Sequence, residues 1–593
     1  MPKVHAVVCG PRTSTVGQKH YKIVLNRLSV LWGIVFSINL TIMPMKAYWT
    51  EYFPWTMPPP PVLGGADAVD SFRANTSAFL QHVYNATTFP DSAGAFLRDR
   101  ASPTYAVRYK LTMPSSVPTS KCLAVVLSFP GQLYFGRGVR DFICAFARLN
   151  QSAQVNHAST RTECQHEYLL GQPIAEGCIW LVPPTDDATM TFHVYFARVE
   201  LQGPAYNWFK FAFRASLSVI IVYLVWSMYF VHYRPLMANL KQFGVDDGAS
   251  SSIVTFEVFV GDPTSVVLSH PLVSLVFVWD VWLSPVYFGL ATIRVSQTYE
   301  WWVFFLGALY GSRTMWFAYF TMRYATFLIK RWRVEHWFAA VDPGLVALAS
   351  VVFSGPMMWV IANTSLATYF YFAWSIFESI DVTTHVCMSI ETFPGAVSAV
   401  LMVSSFPFAY SVLVRCMTRT IPSDHRSALR YACSSYNDLK QQLLMQLHLD
   451  RSVMTRDLSS NDAVDQIGGS VYAFMDHHPK AKRLPLFSLR GSDCFILCFD
   501  SKATIVKKLR LTLVDCLDVR PPPRTCCHKT ASLPTKRTPV AHPTGDLGSA
   551  IATCPLDHPQ QTFCVVNQHI CPDVYATAPT VVHLGASRCK WVL

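Results

Sequence analysis

The 593-residue sequence is short of charge, because only 15% of its residues are Asp, Glu, Lys or Arg. Soluble globular domains carry about 25%. This deficit argues against an ordinary water-soluble protein, and it excludes disordered, coiled-coil and collagen-like chains. Hydrophobic residues make up 51% and the mean hydropathy is +0.25, so part of the chain is expected to be solvated by lipid.

Long runs without charge identify that part. A hydrocarbon core about 30 Å thick requires about 20 predominantly apolar residues in a helix. Windows with at most one ionisable residue occur at 28–45, 215–231, 271–290, 301–320, 344–362 and 394–414. The sequence therefore predicts a multi-pass α-helical bundle of about six transmembrane helices. A seventh run, 366–377, is too short to cross and indicates a re-entrant or interfacial segment.

The loop 363–393 contains no Lys or Arg, whereas 1–27, 321–343 and the tail 415–593 are rich in them. Basic residues near span ends resist translocation, which predicts that both termini are cytoplasmic and that 363–393 is external. The loop 232–270 is then cytoplasmic and 46–209 is external. Lys210 and Arg214 oppose this rule, because they precede the second span on the predicted external side.

The first span has two interpretations. A long charged segment precedes it and no A-x-A cleavage site follows, which favours a signal anchor over a cleaved signal peptide. The membrane itself is either the plasma membrane or an endomembrane.

Segment 46–209 has the size of one domain and balanced charge, with twelve basic and twelve acidic residues. That balance argues against nucleic acid as a partner. Stretches rich in Val, Tyr, Phe and Leu predict a β or α+β domain with strands near 104–112, 122–129 and 192–201 and a short helix near 71–84.

Two features of this domain indicate translocation. It contains an even number of cysteines, suited to two disulfide bonds of open connectivity or to four buried thiols: Cys122, Cys144, Cys164 and Cys178. It also holds three of the four candidate glycosylation acceptors, which are Asn75, Asn85, Asn150 and, in the other external loop, Asn363.

Asp280 and Arg313 are the ionisable residues inside two predicted antiparallel spans, at nearly equal depth. Charges in hydrocarbon are costly, so the two are predicted to form an intramembrane ion pair. Such a pair either locks two helices together or serves as a gate. Pro356 and Pro407 interrupt the last two spans and predict helix kinks, with a midplane transport site as the alternative.

No metal or cofactor site is predicted. Glu378, Asp381 and His385 have helical spacing, but no fourth ligand is evident. The tail has no glutamate, and beyond about residue 519 it lacks periodicity, which predicts disorder or an error in the gene model.

The segments KAYWTEYFPW (46–55) and VWLSPVYFGLA (281–291) resemble large uncharacterised families of multi-pass membrane proteins in water moulds. That resemblance implies no known activity, cofactor or catalytic residue.

The sequence shows no G-x-S-x-G, H-E-x-x-H or P-loop motif, which favours a non-enzymatic protein. We therefore expect a receptor-like or surface protein in a lipid bilayer, whose external domain binds an unknown ligand or protein. The alternative is a transporter or channel that uses Asp280 and Arg313.

Overall fold

The structure is a computed structural model. It describes residues 21–58, 69–90, 92–99, 101–129, 131–158, 161–183, 191–244, 253–296, 300–339, 341–368, 389–418, 466–468, 493–513, 551–553, 582–584, 589 and 591–592.

In chain order the helices are α1 (Arg27–Thr41), α2 (Val69–Val83), α3 (Cys122–Val126), α4 (Arg137–Arg148), α5 (Gln151–Ala158), α6 (Pro204–Met228), α7 (Tyr233–Phe243), α8 (Thr264–Leu268), α9 (Pro271–Trp282), α10 (Pro285–Ser296), α11 (Trp301–Gly311), α12 (Met315–Arg331), α13 (Pro343–Val352), α14 (Met358–Ala362) and α15 (Phe393–Thr418). The strands are β1 (Lys22–Leu25), β2 (Gly94–Arg98), β3 (Thr104–Thr112), β4 (Thr162–Leu169), β5 (Gln172–Val182), β6 (Thr191–Glu200), β7 (Ile253–Phe259), β8 (Ser389–Glu391), β9 (Gln466–Gly468), β10 (Asp493–Asp500), β11 (Ile505–Leu513), β12 (Ile551–Thr553), β13 (Val582–Leu584) and β14 (Trp591–Val592).

A six-stranded sheet with the order β2-β3-β6-β5-β4-β8 forms one domain. Its first five strands come from one continuous segment and pair antiparallel. The apolar residues of β3, β5 and β6 alternate between two faces, and each face is covered by helices or loops. This arrangement agrees with an α+β domain, and α2 covers the predicted helix near 71–84. Residues 122–129, predicted as a strand, instead begin with α3.

Strand β8 comes from far along the chain and pairs parallel to β4, with His166 opposite Ser389. The Glu391 carboxylate accepts the N–H groups of Leu170 and Gly171 at 3.0 and 3.1 Å. Both residues have positive φ, at 52° and 74°, as a tight turn between β4 and β5 requires. The start of α15 is therefore attached to the tip of this hairpin.

An eight-stranded sheet has the order β1-β7-β10-β11-β14-β13-β12, with β9 also paired to β11. Its strands come from the N-terminal segment, from the loop 232–270 and from the tail. The apolar sides of β7, β10 and β11 pack on Tyr233, Leu236 and Leu240 of α7. Trp591 is fully buried in this core, and its indole N–H donates to the His232 carbonyl at 3.0 Å. The part of the tail that follows residue 519 thus contributes at least β14 to a folded sheet, contrary to the predicted disorder there.

The two sheets lie at opposite ends of α6. This helix begins shortly after β6 and runs for 25 residues, about 38 Å at 1.5 Å per residue. It ends at Met228, directly before the turn that leads into α7. Helix α1 also connects the two sheets, but it begins at the eight-stranded sheet. It starts two residues after β1, and the Ala47 side chain beyond its end lies in the core of the six-stranded sheet.

Within the described residues, three helical stretches are long and apolar enough to cross a membrane: Pro204–Lys241, Pro343–Ala362 and Gly395–Met417. The bent pair α9 and α10 would make a fourth. Their outer faces carry large exposed apolar side chains, including Val219, Trp226 and Leu401 at 63–68% exposure. Such surfaces suit lipid rather than water, so a helical membrane part joined to sheet domains is present.

The remaining predicted spans differ from single straight helices. Span 271–290 is broken into α9 and α10, which are bent by 77°. Pro285 opens the second helix, and proline, having no N–H, cannot continue the hydrogen bonding of the first. Span 301–320 is interrupted by a 3-10 turn at Ser312–Thr314. The helix in span 28–45 is α1, which has only 15 residues.

Candidate functional site: a buried charge cluster

Glu51 lies at the centre of a group of buried charges. A 3-10 helix, Pro44–Trp49, follows α1, and only Thr50 separates it from Glu51. The Arg214 guanidinium donates one hydrogen bond of 2.8 Å to each carboxylate oxygen of Glu51. Lys210 Nζ lies 3.1 Å from Oε2, and the Tyr310 hydroxyl donates to Oε1 at 2.6 Å.

Asp280 on α9 is the second carboxylate of the group. It accepts a hydrogen bond of 2.7 Å from Arg214 Nε and another from the Arg313 guanidinium. Arg313 also places Nη1 3.3 Å from Glu51 Oε1, and Arg214 Nη2 donates to Ser284 Oγ at 3.0 Å. We name Glu51, Lys210, Arg214, Asp280 and Arg313 the charge cluster.

Four members of the charge cluster have side chains with no exposure, and Arg313 retains 12%. The cluster contains two carboxylates and three cations, which leaves one net positive charge. Removing one partner of a buried ion pair typically costs about 3–5 kcal/mol, because the other charge stays buried without compensation. The cluster therefore fixes α6, α9, the α11–α12 break and the chain after α1 relative to one another.

The sequence of α6 explains how two cations reach the interior. Lys210 and Arg214 are four residues apart and lie on the same face of the helix. That face continues as the buried stripe Leu217, Ile221 and Leu224. The two residues that opposed the positive-inside rule are therefore interior partners of Glu51, not external loop charges.

A further buried pair connects the six-stranded sheet to the helices. Arg198 on β6 forms a salt bridge with Glu167 on β4, and its Nη1 donates to the Tyr105 hydroxyl at 2.6 Å. The guanidinium also packs on Gly289 of α10, where an added Cβ would lie 2.5 Å from Nη1. Any larger residue at this position would displace the Arg198 side chain.

Glu200, at the end of β6, extends this polar layer toward the charge cluster. Its carboxylate accepts a hydrogen bond of 2.8 Å from the Tyr287 hydroxyl and lies 3.8 Å from Arg98 Nη2. Burial raises the pKa of Glu200, and the charge of Arg98 opposes that rise. Arg98 Nη1 donates to the Thr50 carbonyl at 2.5 Å, next to Glu51.

The structure thus brings Asp280 and Arg313 into contact, as part of a larger group than a pair. Their polar atoms are directed at one another and at Glu51 and Arg214, an arrangement that holds segments together. Among the residues that the structure describes, no group of three or more His, Cys, Asp or Glu is placed to hold a metal ion.

The four cysteines of segment 46–209 form two disulfide bonds, Cys122–Cys144 and Cys164–Cys178. The first joins α3 to α4, and the second crosses the β4–β5 pair at directly opposed positions.

The four candidate glycosylation acceptors are all exposed: Asn75 on α2, Asn85 in the turn after it, Asn150 before α5 and Asn363 after α14. Glycosylation of these residues stays a prediction.

Pro356 lies within a π-helical turn, Phe353–Met357, between α13 and α14. This turn is a local widening of the helix. Pro407 lies inside α15. Glu378, Asp381, His385 and most of the run 366–377 lie outside the described residues.

Comparison with known proteins gives no match, since no protein-family model fits the chain and no curated protein or solved structure is similar enough to it.

Sequence reasoning missed Glu51, Lys210 and Arg214 as members of one site. The helical spacing of the two cations along an apolar stripe could have indicated burial, and Glu51 lies within the segment 46–55. Only tertiary structure shows which carboxylate they meet.

Proposed function

We propose that this chain is a receptor-like, multi-pass membrane protein whose domain built on the six-stranded sheet binds a ligand or protein outside the cytosol. We further propose that binding is sensed by the domain built on the eight-stranded sheet in the cytosol. The observation that carries the proposal is that α1 begins two residues after β1 and α6 begins four residues after β6, while the chain beyond each helix packs on the other sheet, through Ala47 after α1 and through α7 after α6.

Strand membership supports the proposed topology. The six-stranded sheet draws its strands only from 46–209 and 363–393, the two segments predicted to be external. The eight-stranded sheet draws its strands only from 1–27, 232–270 and the tail. Strands of one sheet must lie on one side of a membrane, so this division fits about six crossings and two cytoplasmic termini.

The junctions are suited to transmitting a change between the domains. On one side, Glu51 and Arg198 connect the six-stranded sheet and its flanking chain to the helices. On the other side, the Asn26 side chain caps α1, accepting the Ser29 N–H at 2.9 Å and donating to Glu257 of β7 at 2.8 Å. A shift of α1 would therefore act directly on β7.

Transport is the second hypothesis from the sequence, since Asp280 and Arg313 lie within two predicted spans. The charge cluster favours the receptor, because Glu51 and Arg214 occupy the polar atoms that a passing solute would need. Reconstituted protein that moves solute, and loses this on Asp280→Asn while staying folded, would favour the transporter.

Hydrogen exchange tests the receptor proposal. The full chain is placed in nanodiscs, and a nanobody raised against the six-stranded domain serves as a surrogate ligand. Coupling between sites commonly changes affinities by roughly 5–150-fold. We expect the nanobody to change exchange rates in β7 and β10 by about fivefold or more. Unchanged exchange with several nanobodies of different epitopes would contradict the proposed coupling.

The resemblance of 46–55 and 281–291 to multi-pass families of water moulds is carried forward as part of this proposal. The two segments contribute Glu51 and Ser284, which both hydrogen-bond to Arg214. Substitution of either residue in the resembling families by an apolar one would count against a shared architecture.

A further inference from the structure

A cavity of about 320 Å³ lies beside the charge cluster. It is bounded by the end of α1, by α9, by the α11–α12 break and by α13. The receptor proposal makes no use of it.

Most of the cavity wall is apolar. Its principal apolar side chains are Leu306, Leu309, Met315, Trp316, Leu348 and Val351. Two of these, Leu348 and Val351, are 48% and 37% exposed, and Trp49 at the rim is 56% exposed. Leu348 and Val351 belong to α13, which is part of a candidate membrane span, so the cavity wall reaches a surface that suits lipid.

One end of the cavity is cationic. Arg313 lines it, and this is the charge-cluster member whose side chain keeps some exposure. Lys46 also lines the cavity, and its Nζ donates to the neutral Asn39 amide oxygen at 2.5 Å. Lys46 adds its charge to the net positive charge of the cluster, which already includes Arg313. Cations at membrane depth are costly without a counter-charge, so this end favours an anion.

We propose that the cavity binds an anionic amphiphile with a single acyl chain. Its carboxylate or phosphate head lies between Lys46 and Arg313, and the first part of its chain lies along Leu309 and Leu348. The volume supports one chain rather than two, since ligand pockets span roughly 300–1,000 Å³ and this one is at the small end. Charge complementarity at one end and an apolar wall leading to lipid define the class of ligand.

Binding is tested with the full chain in nanodiscs of neutral phosphatidylcholine, read by native mass spectrometry. The probes share one oleoyl chain: oleate, oleoyl lysophosphatidate and the uncharged monoolein. We expect at least one anionic probe to bind at one copy per chain, about tenfold or more tighter than monoolein, as expected for a charge-assisted contact. The preferred anion then distinguishes a carboxylate from a phosphate head. Monoolein binding as tightly as both anions would overturn the proposal.

Two pairs of variants test the location. Ala347 lines the cavity, whereas Ala349 on the same helix is exposed and lies outside the lining. Ala347→Phe should abolish anion binding and Ala349→Phe should leave it unchanged.

Lys46→Met should weaken binding about tenfold and Lys46→Arg should retain it. The Lys46 pair keeps the test valid if Ala347→Phe fails to accumulate. Equal binding by Lys46→Met and the parent chain would refute the assigned head position.

Discussion

The two sheets differ in the state of their cysteines. The six-stranded sheet and its covering helices contain both disulfide bonds. The eight-stranded sheet contains three buried cysteines that are not bridged, Cys494, Cys498 and Cys589. Disulfides persist in oxidising compartments and are rare in the reducing cytosol. The difference therefore supports the placement of the two sheets on opposite sides of a membrane, independently of where basic residues lie.

The sheets also differ in how far apart in the sequence their paired strands lie. Five strands of the six-stranded sheet lie between residues 94 and 200, so most of its pairing is local. The eight-stranded sheet pairs β1 with β7 and β7 with β10, across more than 200 residues in each case. Long-range pairing slows folding, because loop-closure entropy is lost before contacts form. The six-stranded domain can fold early, and the eight-stranded sheet only late.

The largest expected effect comes from the contact that holds the six-stranded domain to the helices. Glu51→Gln leaves Lys210, Arg214 and Arg313 with one carboxylate, and should destabilise the protein by about 3–5 kcal/mol. Accumulation in membranes and thermal unfolding in detergent measure this. Glu300→Gln, at an exposed glutamate, is the control and should change stability by less than about 0.5 kcal/mol. Equal behaviour of the two variants would show that the charge cluster is not structural.

The next effect separates the two domains. Trp591→Ala removes a fully buried indole from the eight-stranded sheet and should cost about 3–5 kcal/mol. Hydrogen exchange should rise more in β11 and β10 than in β3 and β6. Trp332→Ala, at a side chain that is 66% exposed, is the matched control. Unchanged exchange in β11 would mean that β14 does not stabilise the sheet.

Loss of a disulfide should have its largest effect on the other domain. The Cys164–Cys178 bond closes a loop of 14 residues. Loop entropy predicts a loss of about 3 kcal/mol in the Cys164→Ser, Cys178→Ser double variant. Exchange should rise more in β5 than in β10. A reductant should destabilise the parent protein more than the variant, which has only the Cys122–Cys144 bond left to lose.

The thiols of the eight-stranded sheet should be unreactive. Burial raises the pKa of Cys498 to about 12, so the neutral thiol predominates well above pH 8. Maleimide should label Cys494, Cys498 and Cys589 only after unfolding. The folded state holds this proton more tightly than the unfolded chain, so the contribution of Cys498 to stability should be full below about pH 9 and decline toward pH 12. Rapid labelling of any of these three buried cysteines in the native protein at pH 7 would contradict this, whereas the exposed Cys416 should react in the folded state.

The smallest effect on stability concerns glycosylation. Asn85 lies in an exposed turn where the Thr87 hydroxyl contacts its side-chain oxygen at 2.5 Å. Asn85→Gln should remove one glycan and increase gel mobility with little change in unfolding temperature. Asn39→Gln, in the sequon within α1, should give no shift. No shift for Asn85→Gln, together with a parent protein whose mobility is unaffected by a glycosidase, would contradict the external placement of this domain.

Hydropathy predicted the parts of the fold that depend on local composition. The windows 215–231, 344–362 and 394–414 overlap the three helical stretches that qualify as spans. The bend in 271–290 was not predicted, but Pro285 could have indicated it, because a proline inside a span often ends a helix. The even number of cysteines predicted disulfides, but their pairing required the register of β4 and β5.

The eight-stranded sheet could not be predicted in this way. Its strands are short and lie in segments with no common periodicity, and their pairing is set by tertiary contacts rather than by local sequence. The charge cluster is likewise set by tertiary contacts rather than by local sequence. Arg214 opposes the positive-inside rule, but the sequence does not show that Glu51 is its partner.

The attachment of α15 to the β4–β5 hairpin has a mechanical consequence. The Thr392 N–H donates to the Tyr168 carbonyl at 2.8 Å, one residue before α15 begins. Tension applied at the hairpin tip would therefore load the parallel β4–β8 pair in shear and pass directly to α15. In a pulling experiment the hairpin and α15 should unfold together in one step, not in two separate steps.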